Sequence, residues 1–238
     1  MSGHSKWNNI KHKKEKTDAQ KAKVFTKVGK EIAIAVKAGG PDPAANSKLR
    51  DLIQKAKSMN VPNDNIDRII KKAASSDSEN YETVVYEGYG PSGIAVIVEC
   101  TTDNRNRTSA DLRHYFDKFG GNLGTTGCVS YLFSDKGVIL VDPEGVQEDE
   151  LMEAALEAGA EDIGLEDDVF EILTRTSDLY TVKEALEGKY NILSSEEEKI
   201  PASYVQLSDE EAAMKMQKLL DALDDNEDVQ NVWHNWEE

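Results

Sequence analysis

The sequence predicts an α+β protein in which an N-terminal helical domain is followed by two α/β domains, one inserted into the other. Two changes along the 238 residues predict this arrangement. Apolar residues recur at helical spacing up to about residue 75 and alternate, as in strands, from Tyr81 onward. Residues 1–72 carry 17 Lys and Arg against 7 Asp and Glu, whereas the remainder carries 11 against 38. The two parts therefore have formal charges of +10 and −27.

Residues 1–75 are predicted to form a basic helical domain of three helices. The first begins at the capping box Thr17–Gln20 and ends at Gly39. The second is capped by Asp42 and ends near Asn60, and the third opens at Pro62. One face of the first helix is apolar, with Phe25, Val28, Ile32, Ala35 and Val36. The opposite face is a lysine stripe, with Lys23, Lys27, Lys30 and Lys37.

Residues 76–135 and 208–238 are predicted to form the first α/β domain together. Its elements are strands Thr83–Glu87 and Gly93–Cys100, a helix from about Thr108, and a strand Cys128–Phe133. A capping box at 208–211, a helix and the strand Val229–Val232 follow at the end of the chain. Because a lone helix and strand cannot bury themselves, we expect them to complete this domain.

Residues 136–207 are predicted to be an inserted, acidic, ferredoxin-like domain, because their order is strand, helix, two strands, helix and strand. The last strand falls at either Tyr190–Leu193 or Ala202–Leu207. The other elements are strands Val138–Val141, Asp162–Leu165 and Val169–Thr174 and helices Glu148–Ala158 and Asp178–Glu187. The acidic clusters at 166–168 and 196–198 are expected in turns and on solvated surface.

The chain before the first helix has the composition of a nucleic-acid-binding arm. Lysines pair with phosphates, Trp7 offers a stacking plane, and Asn8 and Asn9 can hydrogen-bond base edges. An alternative for Trp7 is packing against its own domain, and an alternative for the lysines is attraction to the acidic remainder of the chain. The candidate residues are Lys6, Trp7, Asn8, Asn9, Lys11, Lys13, Lys14 and Lys16, continued by Lys23, Lys27 and Lys30.

A second candidate phosphate site lies at Thr101–Thr108, between a predicted strand and helix. Free amides at a helix start and the guanidinium groups of Arg105 and Arg107 suit a phosphate. The alternative is that both arginines pair with local carboxylates.

Other motifs are interpreted structurally. Gly88–Gly93 has the letters of a dinucleotide-binding loop, but a strand follows it where that motif needs a helix, so a hairpin turn is predicted. The glycine-rich stretch 120–127 lacks the Gly-Lys-Ser/Thr of a phosphate-binding loop and is interpreted as a helix-to-strand connection. Four histidines and two cysteines show no metal-ligand spacing. The sequence therefore predicts no enzyme, no metal, no cofactor and no small-molecule substrate.

The cellular location and the partners of the protein are predicted from its apolar stretches, its first residues and its basic region. Its apolar stretches are short compared with the ~20 residues of a membrane span, and residues 1–7 do not resemble a signal peptide. We therefore expect a cytoplasmic protein that does not bind a membrane, with a basic region suited to a polyanion.

Five sequence motifs together resemble the YebC-like family, and the resemblance extends over essentially the whole chain. They are Gly3–Lys11, Val61–Ile66, Tyr86–Pro91, Thr102–Thr108 and Asp228–Asn235. The resemblance implies a three-domain cytoplasmic bacterial protein that regulates transcription and binds DNA. A mitochondrial relative is a translational activator, which implies RNA or the ribosome as the alternative target.

Overall fold

The computed structural model describes residues 18–75, 80–166 and 168–237. They form two compact units, one of residues 130–204 and one of residues 18–129 with 205–236. Among the described helices, none is long and apolar enough to cross a membrane. In chain order the elements are α1 Asp18–Gly39, α2 Ser47–Ser58, α3 Asn63–Ala73, β1 Glu82–Tyr89, β2 Ala95–Thr102, α4 Arg105–Lys118, β3 Asn122–Leu123, β4 Phe133–Val141, α5 Glu148–Ala158, β5 Asp162–Glu166, β6 Val169–Thr174, α6 Leu179–Leu186, β7 Ile192–Pro201, β8 Val205–Gln206, α7 Glu210–Asp225, β9 Val229–His234 and β10 Trp236–Glu237.

The three predicted helices of the N-terminal part are present, and their apolar faces form one core. Its largest fully buried members are Ile32 and Leu49. The prediction that Asp42 caps α2 is wrong, because that carboxylate closes a turn by accepting from the Ala44 amide. Asn46 caps α2 instead: its side-chain oxygen accepts from the Leu49 amide at 3.1 Å, and its Nδ2 donates to the Ala35 carbonyl.

An antiparallel sheet with strand order β3-β1-β2-β9 forms the other part of the same unit. Helices α4 and α7 bury their apolar faces against it, with Leu112, Phe116, Met216 and Leu219 fully buried. The terminal helix and strand thus complete the sheet that β1 and β2 begin, as expected. The hairpin predicted at Gly88–Gly93 is also confirmed, since β1 and β2 pair throughout.

The predicted strand Cys128–Phe133 is wrong. The chain forms a short 3₁₀ helix at Ser130–Leu132 instead, and β4 starts only at Phe133. The reason is a buried carboxylate: Glu87 accepts hydrogen bonds from the amides of Gly127 and Val129 at 2.8 and 2.9 Å. Those amides are not available to a neighbouring strand. The limit at residues 135 and 136 that we predicted for the inserted domain falls within β4.

The unit of residues 130–204 has the predicted order of strands and helices. Its antiparallel sheet has strand order β5-β6-β4-β7, and α5 and α6 pack on it around a core that includes Ile139, Leu151 and Ile172. The last strand begins within the first expected position, Tyr190–Leu193, but extends well beyond it: β7 runs from Ile192 to Pro201 and contains Glu196, Glu197 and Glu198. β7 is an edge strand, where charged side chains are tolerated and discourage pairing with other chains.

Candidate nucleic-acid interface

The predicted N-terminal arm lies outside the described residues. This applies to Lys6, Trp7, Asn8, Asn9, Lys11, Lys13, Lys14 and Lys16. Their role in nucleic-acid binding stays a prediction.

The lysine stripe of α1 contacts the C-terminal end of α7. Lys23 Nζ lies 2.8 Å from Asp225 Oδ1, and Lys27 Nζ donates to the Asp224 carbonyl at 2.6 Å. Lys30 Nζ lies 2.6 Å from Asp228 Oδ1 and 3.0 Å from the Glu227 carbonyl oxygen. Lys30 is only 8% exposed, although the sequence places it on the face of α1 opposite the apolar one.

The end of a helix explains why lysines gather there. The last carbonyls of α7 have no partner within the helix, and the helix dipole makes this end negative. Four acidic residues add formal negative charge: Asp224, Asp225, Glu227 and Asp228. Attraction between the basic and acidic parts of the chain, which the sequence left open, accounts for these three lysines. The fourth, Lys37, donates instead to the Asn80 side-chain oxygen at 2.8 Å.

Asp228 is the centre of a buried polar cluster that joins the helical part to the first sheet. Its Oδ1 accepts from Lys30, and its Oδ2 accepts from Arg107 at 2.7 Å and Thr108 Oγ1 at 2.8 Å. Thr102 Oγ1 lies 2.8 Å from Thr108 Oγ1, within hydrogen-bond distance. We call Lys30, Thr102, Arg107, Thr108 and Asp228 the Asp228 cluster. Burial raises the pKa of Asp228, but hydrogen bonds from Arg107, Lys30 and Thr108 outweigh it, and the pKa lies below its ordinary value.

The two arginines of the second candidate site both pair with carboxylates. Arg105 Nε lies 2.7 Å from Glu82 Oε1 on the surface, whereas Arg107 Nη2 contacts Asp103 at 2.9 Å and Asp228 at 2.7 Å. The hydrogen bond to Asp228 raises the pKa of Arg107. Both residues lie in the first turn of α4, which Asn104 caps through the Arg107 amide. The structure thus shows the alternative arrangement, in which both guanidinium groups pair with carboxylates of the same chain.

We expect the two arginines to differ in their effect on stability. Arg107→Ala removes one partner of a buried carboxylate and should lower the free energy of unfolding by about 1–3 kcal/mol. Arg105→Ala breaks an exposed pair and should cost about 0–1 kcal/mol. Urea unfolding of the single variants measures both. Equal losses, or a larger loss for Arg105→Ala, would contradict the assignment of Arg107 to the Asp228 cluster.

A basic cleft that the sequence analysis did not identify lies between α2 and α3. We call it the α2–α3 cleft. Its floor contains Ile53, Ile66 and Ile70. Its polar lining consists of Arg50, Gln54, Lys57, Asn63, Asp67 and Lys71, all exposed. The sequence does show lysine and arginine recurring along α2 and α3, which could have indicated this cleft. Helical spacing alone, however, does not tell which faces of the two helices meet.

The contacts of the glycine-rich stretch and of the cysteines are explained by the fold. Glu87 accepts from the amides of Gly124, Gly127 and Val129, which leaves these three amides unavailable to a phosphate. Burial raises the pKa of the Cys100 thiol to about 12, so it is protonated near neutral pH. Within the described residues, no group of three His, Cys, Asp or Glu side chains could hold a metal ion.

Three basic helices joined by the Asp228 cluster to the first antiparallel sheet, together with a second antiparallel sheet covered by two helices, define an α+β protein, and two family domains identify its family. The family domain described as "TACO1/YebC protein N-terminal domain" matches residues 5–76, and "TACO1/YebC second and third domain" matches residues 81–236. The chain belongs to the TACO1/YebC family, as the sequence motifs predicted.

Relatives carry a consistent name. A protein from Acetivibrio thermocellus is 61% identical over 99% of both chains, and one from Ruminiclostridium cellulolyticum is 56% identical over 100% of this chain and 97% of its own. Both are named "Probable transcriptional regulatory protein". The crystal structure of a conserved hypothetical protein from Aquifex aeolicus is 50% identical, with a TM-score of 0.84, covering 93% of this chain and 92% of that chain.

Proposed function

We propose that this protein is a non-enzymatic, cytoplasmic regulator that binds nucleic acid through its basic helical part, with DNA as the target and RNA or the ribosome as the alternative. The observation that carries the proposal is the α2–α3 cleft. Arg50, Lys57 and Lys71 are exposed around it, whereas Lys23, Lys27 and Lys30 of α1 are bound at the C-terminal end of α7. The names of the relatives support a regulatory role.

The chemistry of the cleft suits a polyphosphate. Guanidinium and ammonium groups pair with phosphate oxygens, and the amides of Gln54 and Asn63 can donate to phosphates or to base edges. Residues 130–204 carry 20 Asp and Glu against 5 Lys and Arg, and this unit repels a polyanion. The charge distribution therefore directs nucleic acid to the helical part.

We expect Arg50→Ala, Lys57→Ala and Lys71→Ala, combined in the intact protein, to weaken binding of a 20-base-pair duplex. Each phosphate contact contributes roughly 0.9 to the slope of log K against log salt, so the slope should become shallower by about 2–3. Fluorescence anisotropy between 50 and 200 mM salt measures both affinity and slope.

The matched control replaces Arg113, Lys189 and Lys218 by alanine. These are likewise one exposed arginine and two exposed lysines, placed outside the α2–α3 cleft. The control removes the same charge and should leave the slope nearly unchanged. An equal loss in both triple variants would show non-specific attraction to net charge, and no loss in the first would reject the cleft as the interface.

The DNA and RNA alternatives predict different degrees of preference for one duplex sequence over another. Direct readout of base edges by a duplex-DNA regulator typically supplies about 4–10 kcal/mol over random DNA. The cleft carries only two exposed amides, so we expect no more than about tenfold preference, ~1.4 kcal/mol, for any duplex. Competition of a randomised duplex pool against the best-bound site measures this preference. A thousandfold preference would establish direct transcriptional readout and exclude the alternative.

The division of the chain into domains is part of the same proposal. We propose three domains, at 1–75, 76–135 with 208–238, and an inserted ferredoxin-like domain at about 136–207 whose first limit should move to the start of β4. The strand order β5-β6-β4-β7 and the return of α7 and β9 to the first sheet support the insertion. The acidic domain then acts as a spacer or as a surface for partners.

A further inference from the structure

A second cleft on the helical part lies between α1 and α3, on the other side of α3 from the first. It has a volume of about 280 Å³, close to the lower end of the range for ligand pockets. Its walls include the aromatic rings of Phe25 and Tyr81 and the side chains of Val61 and Ile69. We call it the α1–α3 cleft. Its position leaves it open to a ligand that also contacts α3.

Small residues keep this cleft from being filled. Gly29, Ala33 and Ala73 line it, and a Cβ on Gly29 would lie 3.2 Å from Ile69 Cδ1. The two helices therefore approach closely beneath the cleft. Lys30 Nζ lies 5.7 Å from the centroid of the Tyr81 ring, a cation–π contact that holds the ring beside the Asp228 cluster.

Cationic and amide groups stand at the rim. Arg68 and Lys72 are exposed, and Asn65 Oδ1 accepts from Arg68 Nη2 at 2.8 Å. This hydrogen bond holds the guanidinium group at the mouth of the cleft. A ligand that enters the cleft is therefore one that combines a flat apolar group with adjacent negative charge.

We propose that the α1–α3 cleft binds an unstacked base of single-stranded nucleic acid, with Phe25 and Tyr81 contacting the base and Arg68 and Lys72 contacting the flanking phosphates. The inference rests on the proposed function and names the form of nucleic acid that it favours. Every base has an aromatic face, so stacking on side chains tolerates any sequence. A duplex keeps its bases stacked and offers the rim only phosphates.

The test uses the intact protein and a 16-nucleotide single strand, in ribose and deoxyribose versions, each with 5-iodouracil at one position. Irradiation should crosslink the strand to Phe25 or Tyr81, located by mass spectrometry of the digested adduct. This measurement needs no substitution. A crosslink from either strand to Phe25 or Tyr81 supports the proposal, and tighter binding of the ribose strand identifies RNA as the source of the base.

Substitutions provide a second readout. Phe25→Leu and Tyr81→Leu keep apolar volume but remove the aromatic face, and should weaken single-strand binding by about tenfold, within the range for loss of one stacked base. Duplex binding should change less than twofold. Tyr131→Leu is the matched control, because Tyr131 is 73% exposed and does not line the cleft. Urea unfolding confirms that each variant is folded.

The outcomes separate this inference from the proposed function. If single strand and duplex bind equally, with adducts only elsewhere and both leucine variants binding as the natural protein does, the base cleft is rejected while nucleic-acid binding stands. If no oligonucleotide binds and the α2–α3 triple variant changes nothing, the proposed function fails and the inference fails with it.

Discussion

Asp228→Ala is expected to lower the free energy of unfolding by about 3–5 kcal/mol, the usual cost of removing one partner of a buried ion pair. The substitution leaves the Lys30 ammonium group, 8% exposed, without the carboxylate that lies 2.6 Å away. It also removes the acceptor shared by Arg107 and Thr108. Urea unfolding at pH 7 measures the loss.

Two controls define the origin of this loss. Asp225→Ala removes an exposed pair with Lys23 on the same helix end and should cost about 0–1 kcal/mol. The double variant Lys30→Met with Asp228→Leu removes both charges and should recover much of the stability, because apolar replacements of a buried pair are often neutral. A loss below about 1 kcal/mol in Asp228→Ala would show that the cluster does not hold the two parts together.

The Asp228 cluster also determines how stability responds to acid. The pKa of Asp228 is lower in the folded protein than the ordinary value of 3.8, so the stabilisation by this carboxylate is present above that value. The stabilisation is lost as the pH falls through the folded-state pKa. The loss of stability that follows protonation of Asp228 is therefore confined to strongly acidic solution.

Lowering the pH from 7 to 4 is expected to reduce the free energy of unfolding by about 3 kcal/mol through His234 alone. Burial lowers the pKa of this histidine from 6.5 to about 4. Between these values the unfolded chain binds a proton that the folded chain does not, so stability decreases as the pH falls. Well above pH 6.5, where neither state binds the proton, the histidine contributes no pH dependence.

His234→Gln isolates this contribution because glutamine does not ionise. The difference in unfolding free energy between the natural protein and the variant, followed from pH 7 to pH 4, should shift by about 3 kcal/mol in favour of the variant. His114→Gln, at an exposed position, is the control for the substitution itself. Parallel pH profiles for the natural protein and His234→Gln would contradict the buried, neutral state of His234.

Local signals determined much of the secondary structure. α1 has an apolar stripe at helical spacing and a glycine stop, and α5 ends at Gly159 in the left-handed conformation that favours glycine. The cap of α7 lies one residue after the predicted position, because Asp209 rather than Ser208 accepts from the Glu211 amide. These features depend on neighbours within a few residues, which the sequence presents directly.

The position of β7 depended on a distant partner. Glu196, Glu197 and Glu198 have the composition of a turn, but they pair with Val138, Gly137 and Lys136 of β4. The nine-residue length of β4 supplies a ladder for a strand of similar length. Backbone hydrogen bonds of that ladder outweigh the weak strand preference of glutamate.

The sequence by itself determined the family, the basic and acidic parts, and the order of helices and strands, because periodicity, charge and motifs are properties of neighbouring residues. Only the tertiary structure decided which cations are available to a ligand. Lys30 and Asp228 lie 198 positions apart and pair because the chain returns to its first sheet through α7 and β9. Helical spacing places a lysine on a face, but the partner of that face comes from the fold. Arg50, Lys57 and Lys71 therefore became the candidate interface, while Lys23, Lys27 and Lys30 of α1 became part of the structure.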